Sequence, residues 1–271
     1  MSWWGKIVGG AFGYLLGGPL GAALGVALGH NFDAGLKRTA QFAGFDPGAQ
    51  ERVQTAFFTA TFTVMGHIAK ADGRVSEQEI ALARGVMQHM QLDEDMMRTA
   101  MNLFNEGKDE DFPLDEALEQ FRLECHRRHN LLRMFIEIQV QAAYADGVMH
   151  PNEQAMLLHI CDCLHITRNE YAQIEAFILA QMHGRAQGGA GAGSQQSPAT
   201  SLKDAYAILG VNEKVGDKEI KRAYRRLMNQ HHPDKLVAKG LPEEMMQVAK
   251  EKTQEIKAAY EQVKKARGMR R

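Results

Sequence analysis

The sequence predicts an all-α chain built from several modules. Three observations carry this reading. Apolar residues recur at three- and four-residue spacing through most of the 271 residues, with few β-branched runs and only 7 prolines. Helix-start signals recur ahead of those apolar stretches. One uncharged segment near the N-terminus, Ile7 to Leu28, is long enough for a bilayer-spanning helix.

The N-terminal segment, residues 1–30, is the first module. Its 22 uncharged residues, at about 1.5 Å each, would cover roughly 33 Å, close to the thickness of a hydrocarbon core. Trp3 and Trp4 precede it and Lys37 and Arg38 follow it, as expected of interfacial anchors. A cleaved signal peptide would have a shorter apolar core and a more basic start. A retained single-pass span in the lipid bilayer is therefore the expectation. Gly9, Gly13, Gly17, Gly21 and Gly25 fall every fourth residue, a smooth helix ridge that lets two copies approach closely and predicts a homodimer through the span. The excess of positive charge after the span (Lys37, Arg38 and Arg52 against Lys6) places the short N-terminus outside and the rest of the chain in the cytoplasm.

After a connector, residues 31–49, a helical domain is expected over 50–183. Asp72-Gly73 closes its first helix, Ser76 and Glu79 form a capping box, and Asp93 caps a further helix. The pattern returns with an offset of 74 residues: Ala71-Asp72-Gly73 matches Ala145-Asp146-Gly147, Val86 matches Ile160, Met90 matches Leu164, Leu92 matches Ile166, and Asp93 maps onto Thr167 with Glu170. Two helical units with pseudo-symmetry follow. The Ala-Asp-Gly turns in this duplicated frame resemble the TerB-like helical domain, a resemblance that implies a fold more than an activity.

Metal is not expected. Asp72, Glu77, Glu79, Asp146 and Glu153 lack the alternating donors of an EF-hand and read as caps and turns. His159, Cys161, Cys163 and His165 alternate on a helix, so His159 and Cys163 share one face while Cys161 and His165 share the other. The four cannot meet at one ion, and Cys161 continues a core stripe. The three cysteines carry no disulfide framework and suit a reducing compartment.

Residues 184–201 are rich in Gly, Ala, Ser and Gln and read as a flexible linker. Charge changes sign across it. Residues 201–271 hold 17 Lys+Arg and 10 Asp+Glu, about +7, whereas 1–200 hold 15 and 23, about −8. Modules with different partners are implied.

The last module, 202–271, opens with a short helix ending near Gly210. A strongly amphipathic helix follows from Asp217 to Gln230. Ile220, Ala223, Tyr224 and Leu227 form its apolar face, and Lys218, Lys221, Arg222, Arg225 and Arg226 lie largely opposite. Pro233 disfavours helical geometry at His232 and ends this helix. A loop runs to about Pro242, and a last helix, about Glu243 to Ala266, turns Met246, Ala249, Ile256, Ala259, Tyr260 and Val263 to a core.

Ala205-Tyr-Ala-Ile-Leu-Gly-Val211, Ile220-Lys-Arg-Ala-Tyr-Arg-Arg-Leu227, His232-Pro233-Asp234 and Ile256-Lys-Ala-Ala-Tyr260 together resemble the J-domain along its whole length. With an N-terminal span and a TerB-like middle, the order of modules is similar to membrane-anchored DnaJ-like proteins of the bacterial inner membrane. The resemblance implies a co-chaperone of an Hsp70 (DnaK). The basic helix would dock on an acidic face of that chaperone. His232, Pro233 and Asp234 would promote its ATP hydrolysis and client loading. The Gly/Phe-rich segment and zinc modules of DnaJ are missing, which argues against independent holdase activity; the middle domain would recognise a client or partner. An alternative is a membrane stress sensor whose middle domain binds a ligand or ion and controls access to the J-domain.

No nucleophile motif or phosphate-cradling loop points to an enzyme, and no cofactor is implied. Nucleic acid is not an expected partner, because the basic helix lacks interleaved aromatic residues.

Overall fold

The computed structural model describes residues 18–26, 49–71, 77–90, 92–144, 147–187, 201–242 and 245–269. Residues 18–26 form a helical stretch, α1. Leu20 and Ala23 are buried there, and the Leu20 amide donates to Gln120 Oε1 at 2.9 Å. Gly21 and Gly25 lie on α1, whereas Gly9, Gly13, Gly17 and most of the expected span fall outside the described residues. Among the described residues, no helix is long and apolar enough to cross a membrane.

The middle domain comprises α2 (Ala49–Ala69), α3 (Glu77–His89), α4 (Glu94–Gly107), α5 (Leu114–Glu124), α6 (His129–Ala143), α7 (Pro151–Cys163) and α8 (Arg168–Gln187). The duplication is visible in the helix bounds. The ends of α2 and α6, both bounds of α3 and α7, and the starts of α4 and α8 all differ by the same 74 residues. Helix α5 stands between the two three-helix units. The repeated apolar positions pack as expected: Met90 and Leu164 are each 1 % exposed. Asp93 accepts from the Met96 amide at 2.8 Å, and Thr167 and Glu170 form a reciprocal capping box. The Ser76 cap and the Asp72 and Asp146 turns lie outside the described residues.

Phe57, Phe121 and Phe135 join α2, α5 and α6 at ring-centroid separations of 4.8 to 6.4 Å. Helices α2 and α4 cross closely enough for their backbones to meet. A Cβ on Gly66 would lie 2.0 Å from Phe104 O, and one on Gly107 would lie 1.8 Å from Thr63 O. Neither neighbour is a side chain that can rotate away. Gly107→Ala is therefore expected to lower unfolding free energy by about 3 kcal/mol or more, through forced separation of the two helices. Denaturant unfolding of the purified chain measures this, and an unchanged midpoint would contradict the close crossing.

The C-terminal module comprises α9 (Leu202–Ile208), α10 (Asp217–His231), α11 (Pro233–Val237) and α12 (Met246–Ala266). Two expectations need correction. Helix α8 runs to Gln187, into the stretch read as linker, and the segment after Pro233 holds the short helix α11 instead of only a loop. In the second case proline, which cannot continue α10, is well placed at the first position of a new helix.

Candidate functional site

The C-terminal module is a helical hairpin whose core follows from its sequence spacing. Ile220, Ala223 and Leu227 of α10 and Ala249, Ile256, Ala259 and Val263 of α12 are all buried. Tyr224 and Tyr260 stack between the two helices with centroids 4.1 Å apart and planes 13° apart. Arg267 fastens the open end. Its guanidinium donates to Tyr206 Oη at 2.6 Å, to Val215 O at 2.6 Å, to Asp217 Oδ1 at 3.1 Å and to the Glu213 carbonyl.

Burying one face of α10 leaves the other to solvent. Lys218, Arg222, Arg225 and Arg226 are exposed and Lys221 is half-buried. This is a row of cations on one rigid rod, and it creates a positive field toward any acidic surface. The rod stops at His231. His232 takes an extended conformation, φ −60° and ψ 121°, the geometry imposed by a following proline. Pro233 then starts α11, and Asp234 stands exposed in its first turn. His232 and Pro233 are half-buried, and His232 Nδ1 is buried without a hydrogen-bond partner. Lys235 donates to Asn229 Oδ1 and ties the corner back to α10. The eight residues expected to act together, Lys218, Lys221, Arg222, Arg225, Arg226, His232, Pro233 and Asp234, thus lie on one rod and the corner that ends it.

The residue just before this corner is not displayed. His231 is 4 % exposed, and it is held by the middle domain. Its ring stacks on Phe177 of α8 with planes 6° apart, and its Nε2 lies 3.7 Å from Glu137 Oε1 of α6. Glu137 is 1 % exposed and Lys252 of α12 is 3 % exposed; Lys252 Nζ lies 3.2 Å from Glu137 Oε2 and sits over the Phe177 ring. Gln181 donates to Glu255 at the edge of this cluster. Gly240, at φ +98°, approaches Val53 of α2 so closely that a Cβ there would lie 2.7 Å from Val53 Cγ1.

Electrostatics inside the cluster follow from burial and charge together. Burial raises the Glu137 carboxyl, but His231, Lys252 and Arg133 outweigh it and hold the group below the usual carboxylate value. Burial lowers His231, and the positive charges of Lys252 and Arg133 lower it further against the pull of Glu137. At neutral pH the cluster is therefore a Glu137 carboxylate facing Lys252 Nζ beside an uncharged His231 imidazole, and the charge of His231 adds to the hold on Glu137 only under acid conditions.

Sequence reasoning missed this cluster, although two signals were available. Glu137 interrupts the apolar run Leu131-Leu-Arg-Met-Phe-Ile-Glu-Ile138, and Lys252 occupies a core position of the stripe Ala249, Lys252, Ile256, Ala259. Elsewhere, Glu153 acts as the expected cap by accepting from the His150 amide at 2.8 Å, and Cys161 is a fully buried core residue.

A helical hairpin carrying this rod and corner defines a J-domain protein. Residues 204–268 match the DnaJ domain, residues 58–176 match the tellurite resistance protein TerB family, and residues 1–39 match the co-chaperone DjlA transmembrane domain. Relatives named co-chaperone protein DjlA cover the full length. Those of Photorhabdus laumondii and Escherichia coli K12 are 47 % and 45 % identical over 280 residues, all of this chain and all of each relative. That of Photobacterium profundum is 45 % identical over 276 residues, 98 % of this chain and all of the relative. No solved structure matches. The chain belongs to the DjlA co-chaperone family.

Proposed function

We propose that this chain stimulates ATP hydrolysis and client loading by a cytoplasmic Hsp70 of the DnaK type. The observation that carries the proposal is the exposed cationic rod of α10 ending in the Pro233 corner with Asp234 in solvent. The rod supplies long-range steering to an acidic partner, and Asp234 supplies a short charge-assisted contact to a partner cation. The hydrolytic chemistry resides in the Hsp70, so the chain itself needs no catalytic residue. Reversing Arg222 and Arg225 to Glu is expected to slow association with Hsp70 by at least about tenfold at low salt, with the gap narrowing as salt rises. Stopped-flow association measures this, and a salt-independent rate equal to the parent's would contradict the steering role.

The DjlA-type N-terminal segment would hold the J-domain at the cytoplasmic face of the inner membrane, with the short N-terminus periplasmic. The ridge of Gly9, Gly13, Gly17, Gly21 and Gly25 would bring two spans together as a homodimer, an arrangement in which α1 gives up its Leu20–Gln120 contact with the middle domain. Leucine at Gly17 and Gly21 is expected to reduce crosslinked dimer in membranes; an undiminished dimer band would argue against a glycine interface.

A second reading is favoured by the buried cluster at His231. The middle domain grips the residue adjacent to the functional corner, so it sets how the J-domain is presented to the chaperone. On this reading the middle domain controls the J-domain as well as contacting a client, and whatever loosens the Glu137–Lys252 pair changes the stimulation.

A further inference from the structure

Away from the J-domain, α5 and α7 bring three chemically different donors to one point. Asp115 lies in the first turn of α5, and His159 and Cys163 lie one turn apart near the end of α7. His159 Nε2 is 2.6 Å from Asp115 Oδ1 and 3.7 Å from Cys163 Sγ, and that sulfur is 3.9 Å from the same Oδ1. Asp115 and His159 are exposed and Cys163 is half-buried, so the point is open to solvent on one side.

The helix alone pairs His159 with Cys163 on one face, as the sequence predicts. It takes the packing of α5 on α7 to add the third ligand. A four-coordinate zinc-like ion, with bonds of about 2.0 to 2.3 Å, sets its donors roughly 3.3 to 3.6 Å apart. The two separations involving sulfur are within ~0.4 Å of that, and the oxygen–nitrogen pair has to open by ~0.7 Å, a small rotation for exposed side chains.

Two other uses of these residues fit less well. A surface hydrogen-bonded trio directs both His159 Nε2 and the Cys163 thiol at the single oxygen Asp115 Oδ1, and both sulfur separations, 3.7 and 3.9 Å, are long and weak. A nucleophile relay needs the two imidazole nitrogens to face different partners, whereas here Nε2 alone faces both the carboxylate and the sulfur.

We propose that Asp115, His159 and Cys163 form a reversible binding site for a divalent transition cation of the zinc class, with a fourth position left to water or an outside ligand. Mixed oxygen, nitrogen and sulfur donors select borderline cations over calcium or magnesium. The ion would clamp α5 to α7 within the middle domain. This site is independent of the J-domain, so its test does not depend on Hsp70.

The test is cobalt(II) titration of the full-length, detergent-solubilised chain, followed by zinc competition. The expected result is a sulfur-to-cobalt charge-transfer band with the visible bands of four-coordinate cobalt, abolished by one equivalent of zinc. Cys163→Ser should remove the charge-transfer band, and His159→Ala should weaken binding by ~100-fold or more. Zinc should also protect Cys163 from thiol reagents; Cys125 and Cys161 are buried. Absence of a charge-transfer band together with unprotected Cys163 would overturn the proposal. So would a cobalt signal that persists unchanged in both variants, which would place the ion elsewhere.

Discussion

Asp234→Asn should abolish stimulation of Hsp70 ATP hydrolysis while leaving the fold of this chain intact. Asp234 stands exposed in the first turn of α11 and makes no ion pair among the described residues. Its removal therefore costs the hairpin little. A charge-assisted hydrogen bond contributes ~1.5–3 kcal/mol, so productive engagement at the corner should fall by about 10- to 100-fold. His232→Gln tests the same corner differently. Glutamine keeps a polar side chain but not the half-buried imidazole ring. Circular dichroism should show unchanged helix content in both variants, and steady-state ATPase assays with purified Hsp70 should show rates close to Hsp70 alone. Stimulation equal to that of the parent chain would remove the corner from the mechanism.

Glu137→Ala should release the J-domain from the middle domain. The substitution leaves Lys252 as an uncompensated buried cation, and breaking a buried pair in this way costs about 3–5 kcal/mol. Replacing both Glu137 and Lys252 by Met should restore most of the loss, since neither buried charge then remains. Hydrogen exchange across α6, α8 and α12 measures the release directly. If the interface governs presentation, Hsp70 stimulation will change in Glu137→Ala and return toward the parent value in the double variant. Acidification should act in the same direction as Glu137→Ala. The folded-state value of His231 lies below its ordinary value of 6.5, so as pH falls through that value the released form takes up a proton that the docked form resists. Below the ordinary Glu137 value of 4.5, protonating that carboxyl removes the docked form's remaining advantage. Docking should be complete at neutral pH and weaken progressively from about pH 6.5 downward. Exchange protection independent of pH from 7 to 5 would contradict this.

Much of the architecture could be read from spacing because each helix writes its own periodicity. The match between α3 and α7 at an offset of 74 residues follows from repeated caps and apolar positions, all local signals. The end of α10 at His231 was legible for the same reason, since Pro233 acts on its immediate neighbour. The contacts that escaped are those made between distant segments. Gly66 and Gly107 look like ordinary helix glycines until α2 and α4 cross. Asp115 has no sequence link to His159, 44 residues away. Lys252 did carry a local sign, a charge on an apolar stripe, but its partner Glu137 lies in another domain. The extent of α8 to Gln187 was obscured because Gly184 and the Gly-rich residues after it suggest an earlier stop.

Co-chaperone action is tested most directly by single-turnover hydrolysis of ATP preloaded on Hsp70, measured with increasing amounts of the detergent-solubilised chain. A saturable acceleration is expected that weakens with added salt and disappears when Asp234 is changed to Asn. Hydrolysis at the rate of Hsp70 alone, at every concentration of a chain shown to be folded, would contradict it.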